Sequence, residues 1–190
     1  MTTRHNFFPL FLRLSGRTVV VVGAGNVATG KLDRLLEAGA RVRVVAPDIQ
    51  EGIERPGVSV ERRPFRPSDL DDAWLVVAAA TPHVNRSVAE AAESRRVFVN
   101  AVDDPDNASA YLGGVVQRAG VTFAISTDGR APALAGLLRE GLESVLPETE
   151  LEEWLSEAER QRHLWREQGV PMEKRRPLLL EALLRRYKEA

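Results

Sequence analysis

In the first half of the chain, continuous apolar runs alternate with segments in which apolar residues recur at helical spacing. Continuous apolar runs rich in β-branched residues are typical of strands that are covered on both faces of a parallel sheet. Between the first two runs, Val27, Leu32 and Leu36 recur at helical spacing before Gly39. The runs predict strands at Thr18–Val22, Arg41–Ala46, Val58–Glu61, Trp74–Ala80 and Val97–Ala101. Strands that alternate with helices predict an α/β domain of the Rossmann type, with a parallel sheet.

The pattern changes after about residue 105. A further strand, Val121–Ser126, leads into a helix that ends at Pro147. The apolar face of that helix consists of Leu134, Leu137, Leu138, Leu142 and Val145. The remaining residues are highly charged and helical, and Gly169 and Pro171 divide them into two segments. We therefore predict a Rossmann domain over residues 1–105, a small α+β segment over 106–147 and a helical segment over 148–190.

Composition and charge narrow the class of protein. The 190 residues include 26 Lys and Arg and 27 Asp and Glu, so the net charge is -1 and no nucleic-acid partner is predicted. The absence of cysteine excludes disulfides, thiolate metal sites and cysteine nucleophiles. No spacing of His, Asp and Glu matches a metal site, so no metal is expected. The first apolar run is short and interrupted by Pro9 and Arg13. We expect neither a signal peptide nor a membrane span, and hence a cytoplasmic location.

A G-x-G-x-x-A motif, Gly23-Ala24-Gly25-Asn26-Val27-Ala28, stands between the first strand and the first helix. In this context the first glycine permits a tight turn, the second lets a pyrophosphate approach the backbone, and the final small residue allows close packing of helix on strand. The free N–H groups and the dipole at the helix N-terminus favour phosphate binding. The motif therefore predicts a dinucleotide site.

The end of the second strand indicates which dinucleotide is bound. An acidic residue at this place binds the ribose hydroxyls of NAD, whereas a nearby arginine accommodates the extra phosphate of NADP. Asp48 lies just beyond the end of the strand, and no arginine follows it directly. Arg41 and Arg43 lie earlier, where we expect them to face solvent or to be paired. This arrangement favours NAD.

Polar clusters follow three of the later predicted strands, and ligands of open α/β sheets collect at such strand ends. The clusters are Ala79–Asn85, Asn100–Pro105 and Ser126–Pro132. From the residues alone, Asp103 has two interpretations: it is a general base, or it caps a turn before Pro105.

Several stretches together resemble one family in the same order along the chain. They are FFPLFLRLSGRTVVVVGAGNVATGKLDRLLEAGARVRVVAP, AAATPHVN, AAESRRVFVNAVDDP and ISTDGRAPALAGLLREGLESVLP. Over roughly residues 6–147 the chain resembles the precorrin-2 dehydrogenases, which form the N-terminal module of sirohaem synthases. The resemblance implies a Rossmann domain, a dimerisation segment over residues 106–147 and a helical C-terminal part. It also implies oxidation of precorrin-2 to sirohydrochlorin with NAD⁺; some members insert Fe²⁺ as well.

The resemblance also implies roles for individual residues. Those implied to contact NAD are Gly23, Gly25, Asn26, Val27, Ala28, Pro47, Asp48 and Thr81. The family's essential aspartate, in N-x-x-D, corresponds to Asp103, and on an extended chain Asp104 is expected to point the other way. Those implied to lie near the tetrapyrrole are Ser126, Thr127, Gly129 and Arg130.

The leading hypothesis is an NAD-dependent dehydrogenase that acts on precorrin-2. Arginines bind carboxylates bidentately, so the candidates for the substrate's carboxylates are Arg66, Arg86, Arg118 and Arg130. Two alternatives stay open at this point: an enzyme that also inserts Fe²⁺, and a non-catalytic NAD-sensing module that regulates a partner. The leucine-rich helix from Leu134 predicts a homodimer in either case.

Overall fold

A computed structural model of the protein describes residues 7–127 and 130–189. The chain forms two compact units, which divide between Leu112 and Gly113. Within the described residues, no helix is both long enough and apolar enough to cross a membrane. The predicted three-part division at residues 105 and 147 stays a prediction.

The first unit contains one five-stranded parallel sheet with helices on its faces. Its strands are β1 Thr18–Val22, β2 Arg41–Val45, β3 Val58–Glu61, β4 Ala73–Ala78 and β5 Phe98–Ala101. Its helices are α1 Asn26–Glu37 and α2 Pro82–Glu93, with short 3₁₀ turns at Pro67–Leu70 and Pro105–Asn107. The strand order is β3-β2-β1-β4-β5, and every pairing is parallel. The predicted Rossmann-type α/β fold is confirmed.

The central strand explains why its sequence is a continuous valine run. In β1, Val19 and Val21 pack in the core on the α1 side of the sheet, whereas Val20 and Val22 pack on the α2 side. All four side chains are essentially buried. A strand covered on both faces has no solvent-facing position, so no polar alternation appears in the sequence. The observed β2 and β4 end one and two residues before the predicted strands, β4 begins one residue earlier than predicted, and β5 begins one residue later.

The second unit contains an antiparallel hairpin and three helices. The hairpin pairs β6 Gly114–Arg118 with β7 Val121–Ile125, and the helices are α3 Pro132–Val145, α4 Glu148–Glu167 and α5 Met172–Glu189. β6 has no counterpart among the strands predicted from the sequence. Its two-residue turn, Ala119–Gly120, has positive φ at both positions, 49° and 75°, as a type I′ hairpin turn requires.

The leucine face of α3 lies largely at the surface of the chain. Of the α3 residues, only Ala135 is buried, whereas Leu137 is 65% exposed. The other exposed apolar residues of this face are Leu134, Leu138 and Val145. A continuous exposed apolar face of this kind is typical of an interaction surface.

Candidate functional site

The strand order places a crevice at the carboxyl ends of β1 and β4. The chain passes from β1 outward to β2 and β3, and then returns across β1 to form β4 on its other side. At such a reversal the loops after the two central strands diverge to opposite faces of the sheet, which leaves an opening for a ligand. The glycine turn follows β1, and the loop Ala79–Thr81 follows β4.

Gly23 occupies a position that no other residue fits without distortion. Its φ is 105°, and a Cβ atom there would lie 2.2 Å from the carbonyl oxygen of Ala79. The Gly23 N–H donates to the Val45 carbonyl at 3.0 Å, and the Ala79 N–H donates to the Val22 carbonyl at 2.8 Å. The turn is therefore fixed against the ends of both neighbouring strands.

The N-terminus of α1 beyond this turn is suited to bind phosphate. Gly25 is the N-cap residue, and among the described residues no side chain caps the helix. A Cβ atom at Gly25 would have only the Gln50 side-chain oxygen nearby, at 4.0 Å, so the approach to the backbone is open. Val27 in the first turn is 49% exposed, whereas Ala28 is fully buried against the sheet. Free N–H groups, the positive helix end and an open approach together fit a pyrophosphate.

The loop after β2 returns beside the glycine turn. The Gln50 N–H donates to the Ala24 carbonyl at 3.2 Å. Pro47 and Asp48 lie on this loop and are exposed. This placement is compatible with the predicted contact between Asp48 and a ribose of the cofactor.

A cleft of about 660 Å³ opens beside these elements at the ends of β4 and β5. The residues that line it are Val27, Ala79, Ala80, Pro82, Asn85, Arg86, Val102, Asp103, Asp104, Asp106 and Asn107. Val27 and Asp103 are therefore predicted site residues that meet in one cleft. Thr81 is the exposed N-cap residue of α2 and does not line it. Of the four candidate arginines, Arg86 alone among the described residues lines this cleft.

The segment that carries Asp103 is tied to the edge of the sheet. The Val102 N–H donates to the Ala78 carbonyl at 2.9 Å, and the Ala110 N–H donates to the Val99 carbonyl at 2.8 Å. Asn100 of β5 is buried, and its Nδ2 donates to the Ala110 carbonyl at 3.0 Å. These bonds hold both ends of the loop and fix the position of Asp103 between them.

Asp103 has a left-handed backbone, with φ of 54°. Such a conformation is uncommon outside glycine and is tolerated best by Asn and Asp. Because the chain is not extended at this residue, the expectation that Asp104 points away is wrong: both aspartates line the cleft. Asp104 is engaged locally, since its Oδ2 accepts a 2.8 Å bond from Asn107 Nδ2.

Lys31 of α1 lies within electrostatic reach of Asp103. Partial burial lowers the pKa of the Lys31 ammonium group, the neighbouring Arg34 lowers it further, and the charge of Asp103 opposes both effects. A cation on α1 and an acid after β5 therefore interact electrostatically.

Asn85 was predicted as the last member of the polar cluster after β4, without a role of its own. It lies in α2 and is only 3% exposed. Its side-chain Oδ1 accepts the backbone N–H of Ala80 at 3.0 Å, and its backbone N–H donates to the Thr81 carbonyl at 2.9 Å. The sequence signal that could have identified it is a polar residue at an inward-facing helical position, directly after the end of a buried strand.

The residues predicted to lie near the substrate belong to the second unit. Ser126 and Thr127 follow β7, and Arg130 is exposed just before α3. The Thr127 carbonyl accepts the Arg130 N–H at 3.0 Å, and the Thr127 hydroxyl accepts the Ala131 N–H at 3.2 Å. Gly129 lies outside the described residues. Arg118 ends β6 and donates to the Leu146 carbonyl at 2.9 Å.

Comparisons with known proteins relate the chain to one group of enzymes. A family model described as putative NAD(P)-binding matches residues 10–114, more than half of the 190 residues. A sirohaem synthase of Tolumonas auensis is 41% identical over 145 residues, 75% of this chain and 31% of that protein. A sirohaem synthase of Salmonella typhi is 42% identical over 145 residues, 74% of this chain and 32% of that protein. The chain thus spans about a third of these relatives.

Among solved structures, the chain is similar to SirC, a precorrin-2 dehydrogenase. The TM-score is 0.67 at 25% identity, and the match covers 92% of this chain and 88% of that chain. Both units of the chain therefore take part in the likeness.

Proposed function

We propose that this chain, which belongs to the putative NAD(P)-binding family, catalyses the NAD-dependent oxidation of precorrin-2 to sirohydrochlorin, a step of sirohaem biosynthesis. The observation that carries the proposal is the position of Asp103: a carboxylate with a left-handed backbone lines the cleft that also contains Val27, in the first turn of the phosphate-binding helix. Backbone strain of this kind clusters at functional sites. The likeness to SirC over nearly the whole chain supports the same activity.

In this proposal the dinucleotide lies across the crevice between β1 and β4. The glycine turn and the N–H groups of Asn26 and Val27 hold the pyrophosphate, and Asp48 on the β2 side binds the adenosine ribose. Pro47 and Thr81 would border the bound cofactor, as the resemblance implies. The exposed acid at position 48, with no arginine directly after it, favours NAD⁺ over NADP⁺.

Oxidation of precorrin-2 to sirohydrochlorin removes one hydride and one proton. Bound NAD⁺ supplies the acceptor for the hydride. The protein has to supply a base for the proton, and the Asp103 carboxylate takes that role in the proposal. Lys31 of α1 lies within electrostatic reach of this carboxylate. Ser126, Thr127, Gly129 and Arg130 are proposed to contact the tetrapyrrole.

The test is anaerobic incubation of the protein with precorrin-2 and NAD⁺, followed by the absorbance of NADH and of sirohydrochlorin. Asp103→Asn keeps the size of the side chain but cannot accept the proton, so we expect turnover to fall by about 10²–10⁴-fold. NAD⁺ affinity should be unchanged, because the glycine turn holds the phosphates. Asp104→Asn is the matched control and should be much milder, since the Asp104 carboxylate is engaged by Asn107.

The outcomes separate the competing hypotheses. Nearly normal NADH production by Asp103→Asn would contradict the base assignment. Loss of NAD⁺ affinity together with thermal stability would instead support a turn-capping role for Asp103. A wild-type protein that binds NAD⁺ without turning over precorrin-2 would favour the NAD-sensing alternative. Repeating the assay with Fe²⁺ tests iron insertion, which stays a prediction, as does the cytoplasmic location.

We further propose that the protein is a homodimer. The support is the exposed leucine face of α3, on which Leu137 is 65% exposed. A self-complementary contact about a twofold axis would cover the same apolar surface on two copies at once. Residues 106–147 are accordingly proposed as the dimerisation segment.

A further inference from the structure

We infer that Asn85 recognises the nicotinamide half of the dinucleotide, through a hydrogen bond donated by its side-chain Nδ2. The inference rests on the proposed binding of a pyridine dinucleotide in the crevice between β1 and β4. It assigns a specificity-determining role to a residue that lies after β4, on the opposite side of the crevice from Asp48.

The orientation of the Asn85 amide follows from its partner. The N–H of Ala80 can only donate, so the atom 3.0 Å from it has to be the oxygen of the amide. Nδ2 consequently points away from the Ala80 backbone. Among the described residues, Oδ1 has a hydrogen-bond partner and Nδ2 has none. Because Asn85 lines the cleft, this donor is available to a ligand there.

Asn85 is largely buried, but its side-chain nitrogen has no partner among the described residues and lies at the cleft. The residue is 3% exposed, and buried polar side chains normally have all their hydrogen-bonding groups satisfied. The bond to Ala80 accounts for the oxygen but not for the nitrogen. The bond to Ala80 explains the need for the amide oxygen, and a ligand acceptor in the cleft would satisfy the amide nitrogen.

The side of the crevice identifies the half of the ligand. The pyrophosphate is proposed to sit at α1, and the loop with Asp48 follows β2. A dinucleotide that spans the crevice therefore places its other half over the end of β4, where Asn85 and Asp103 line the cleft. The acceptors in that half that ADP-ribose lacks are those of the nicotinamide, above all its carboxamide oxygen.

Two variants separate the donor from the loop contact. Asn85→Asp keeps an oxygen for the Ala80 N–H and keeps the size of the side chain, but removes the Nδ2 donor. Asn85→Ala removes both. NADH and ADP-ribose are the probes. Both carry the pyrophosphate, so repulsion between the phosphates and the added carboxylate affects both ligands. The reduced nicotinamide ring of NADH is neutral, so it does not attract the carboxylate as the cationic ring of NAD⁺ would. The readout is the ratio of the two dissociation constants, with the thermal midpoint measured alongside.

We expect Asn85→Asp to weaken NADH binding by about tenfold relative to ADP-ribose, with a lower thermal midpoint because the added charge is largely buried. Asn85→Ala should show the same change in the ratio and a lower midpoint. An unchanged ratio in Asn85→Asp, with wild-type binding of both ligands intact, would overturn the inference and leave the proposed function standing. A wild-type protein that binds neither ligand would overturn the proposed function as well.

Discussion

Replacing Gly23 with alanine tests the geometry on which the whole crevice depends. An alanine there faces two penalties. The left-handed backbone costs about 1–2 kcal/mol for a residue with a Cβ atom, and the new Cβ would lie 2.2 Å from the Ala79 oxygen and 2.7 Å from its carbonyl carbon. Both contacts are with backbone that is bonded to β1, so the clash cannot be relieved by rotating a side chain. We expect a total loss of about 3–5 kcal/mol in the free energy of unfolding.

Two other glycines provide matched controls. Gly16 also has a positive φ, 69°, but a Cβ atom there would meet nothing within 4 Å. Gly16→Ala therefore isolates the conformational cost, and we expect a loss of about 1 kcal/mol. Gly25 has an ordinary φ of -90°, so Gly25→Ala should change stability by less than about 1 kcal/mol. Its methyl group, however, occupies the open approach to the α1 backbone, and NAD⁺ affinity should fall at least about tenfold.

Urea unfolding followed by circular dichroism gives the three stabilities, and calorimetric titration with NAD⁺ gives the affinities. We expect Gly23→Ala to lose the most stability, Gly16→Ala less and Gly25→Ala the least. Gly25→Ala should nevertheless lose NAD⁺ affinity, although it loses the least stability. If Gly23→Ala were no less stable than Gly16→Ala, the close approach between the glycine turn and β4 would be refuted. If Gly25→Ala bound NAD⁺ normally, the phosphate site would have to lie elsewhere.

Three further predictions concern other parts of the chain. Burial raises the pKa of the Asp69 carboxyl, but hydrogen bonds from Arg63 and the Arg66 N–H and the charge of Arg43 outweigh burial, so the pKa is lowered. The stabilising contribution of Asp69 is therefore present above pH ~3.9 and is lost as the pH falls further. Asp69→Asn should flatten the acid limb of a pH–stability curve, and an unchanged limb would contradict this prediction. Ala119→Gly relieves a φ of 49° in the hairpin turn and should add about 0.5–1 kcal/mol in urea unfolding; a loss would argue against the type I′ turn. Leu137→Glu should convert the proposed homodimer to a monomer in analytical ultracentrifugation, and a variant that sediments like the wild type would exclude the α3 face.

The sequence by itself determined the elements whose signals are local. The valine run of β1 predicted a doubly covered strand because both of its faces are buried. The G-x-G-x-x-A motif predicted the turn and the α1 N-terminus because each small residue answers a backbone requirement within a few positions. The stop at Gly39, where φ is 73°, was similarly predicted from a single residue.

The strand β6 had no such local signal. Gly114-Val115-Val116-Gln117-Arg118 is short and half-exposed, and its pairing with β7 is set by the turn at Ala119–Gly120. That turn requires a positive φ at an alanine, a residue that seldom adopts it. The hairpin therefore depends on the paired strands to impose a conformation that the turn sequence does not favour.

Tertiary structure alone decided what meets at the cleft. Val27, Asn85 and Asp103 come from three separate stretches, and only the parallel sheet brings them to one edge. The left-handed φ of Asp103 turned Asp104 to the same cleft, against the expectation for an extended chain. The free Nδ2 of Asn85 was likewise invisible in the sequence, because which amide atom is satisfied depends on the backbone group that the fold places beside it. The sequence pattern of a segment determines its local conformation. Whether a polar side chain is free to bind a ligand depends on neighbours that are distant in sequence.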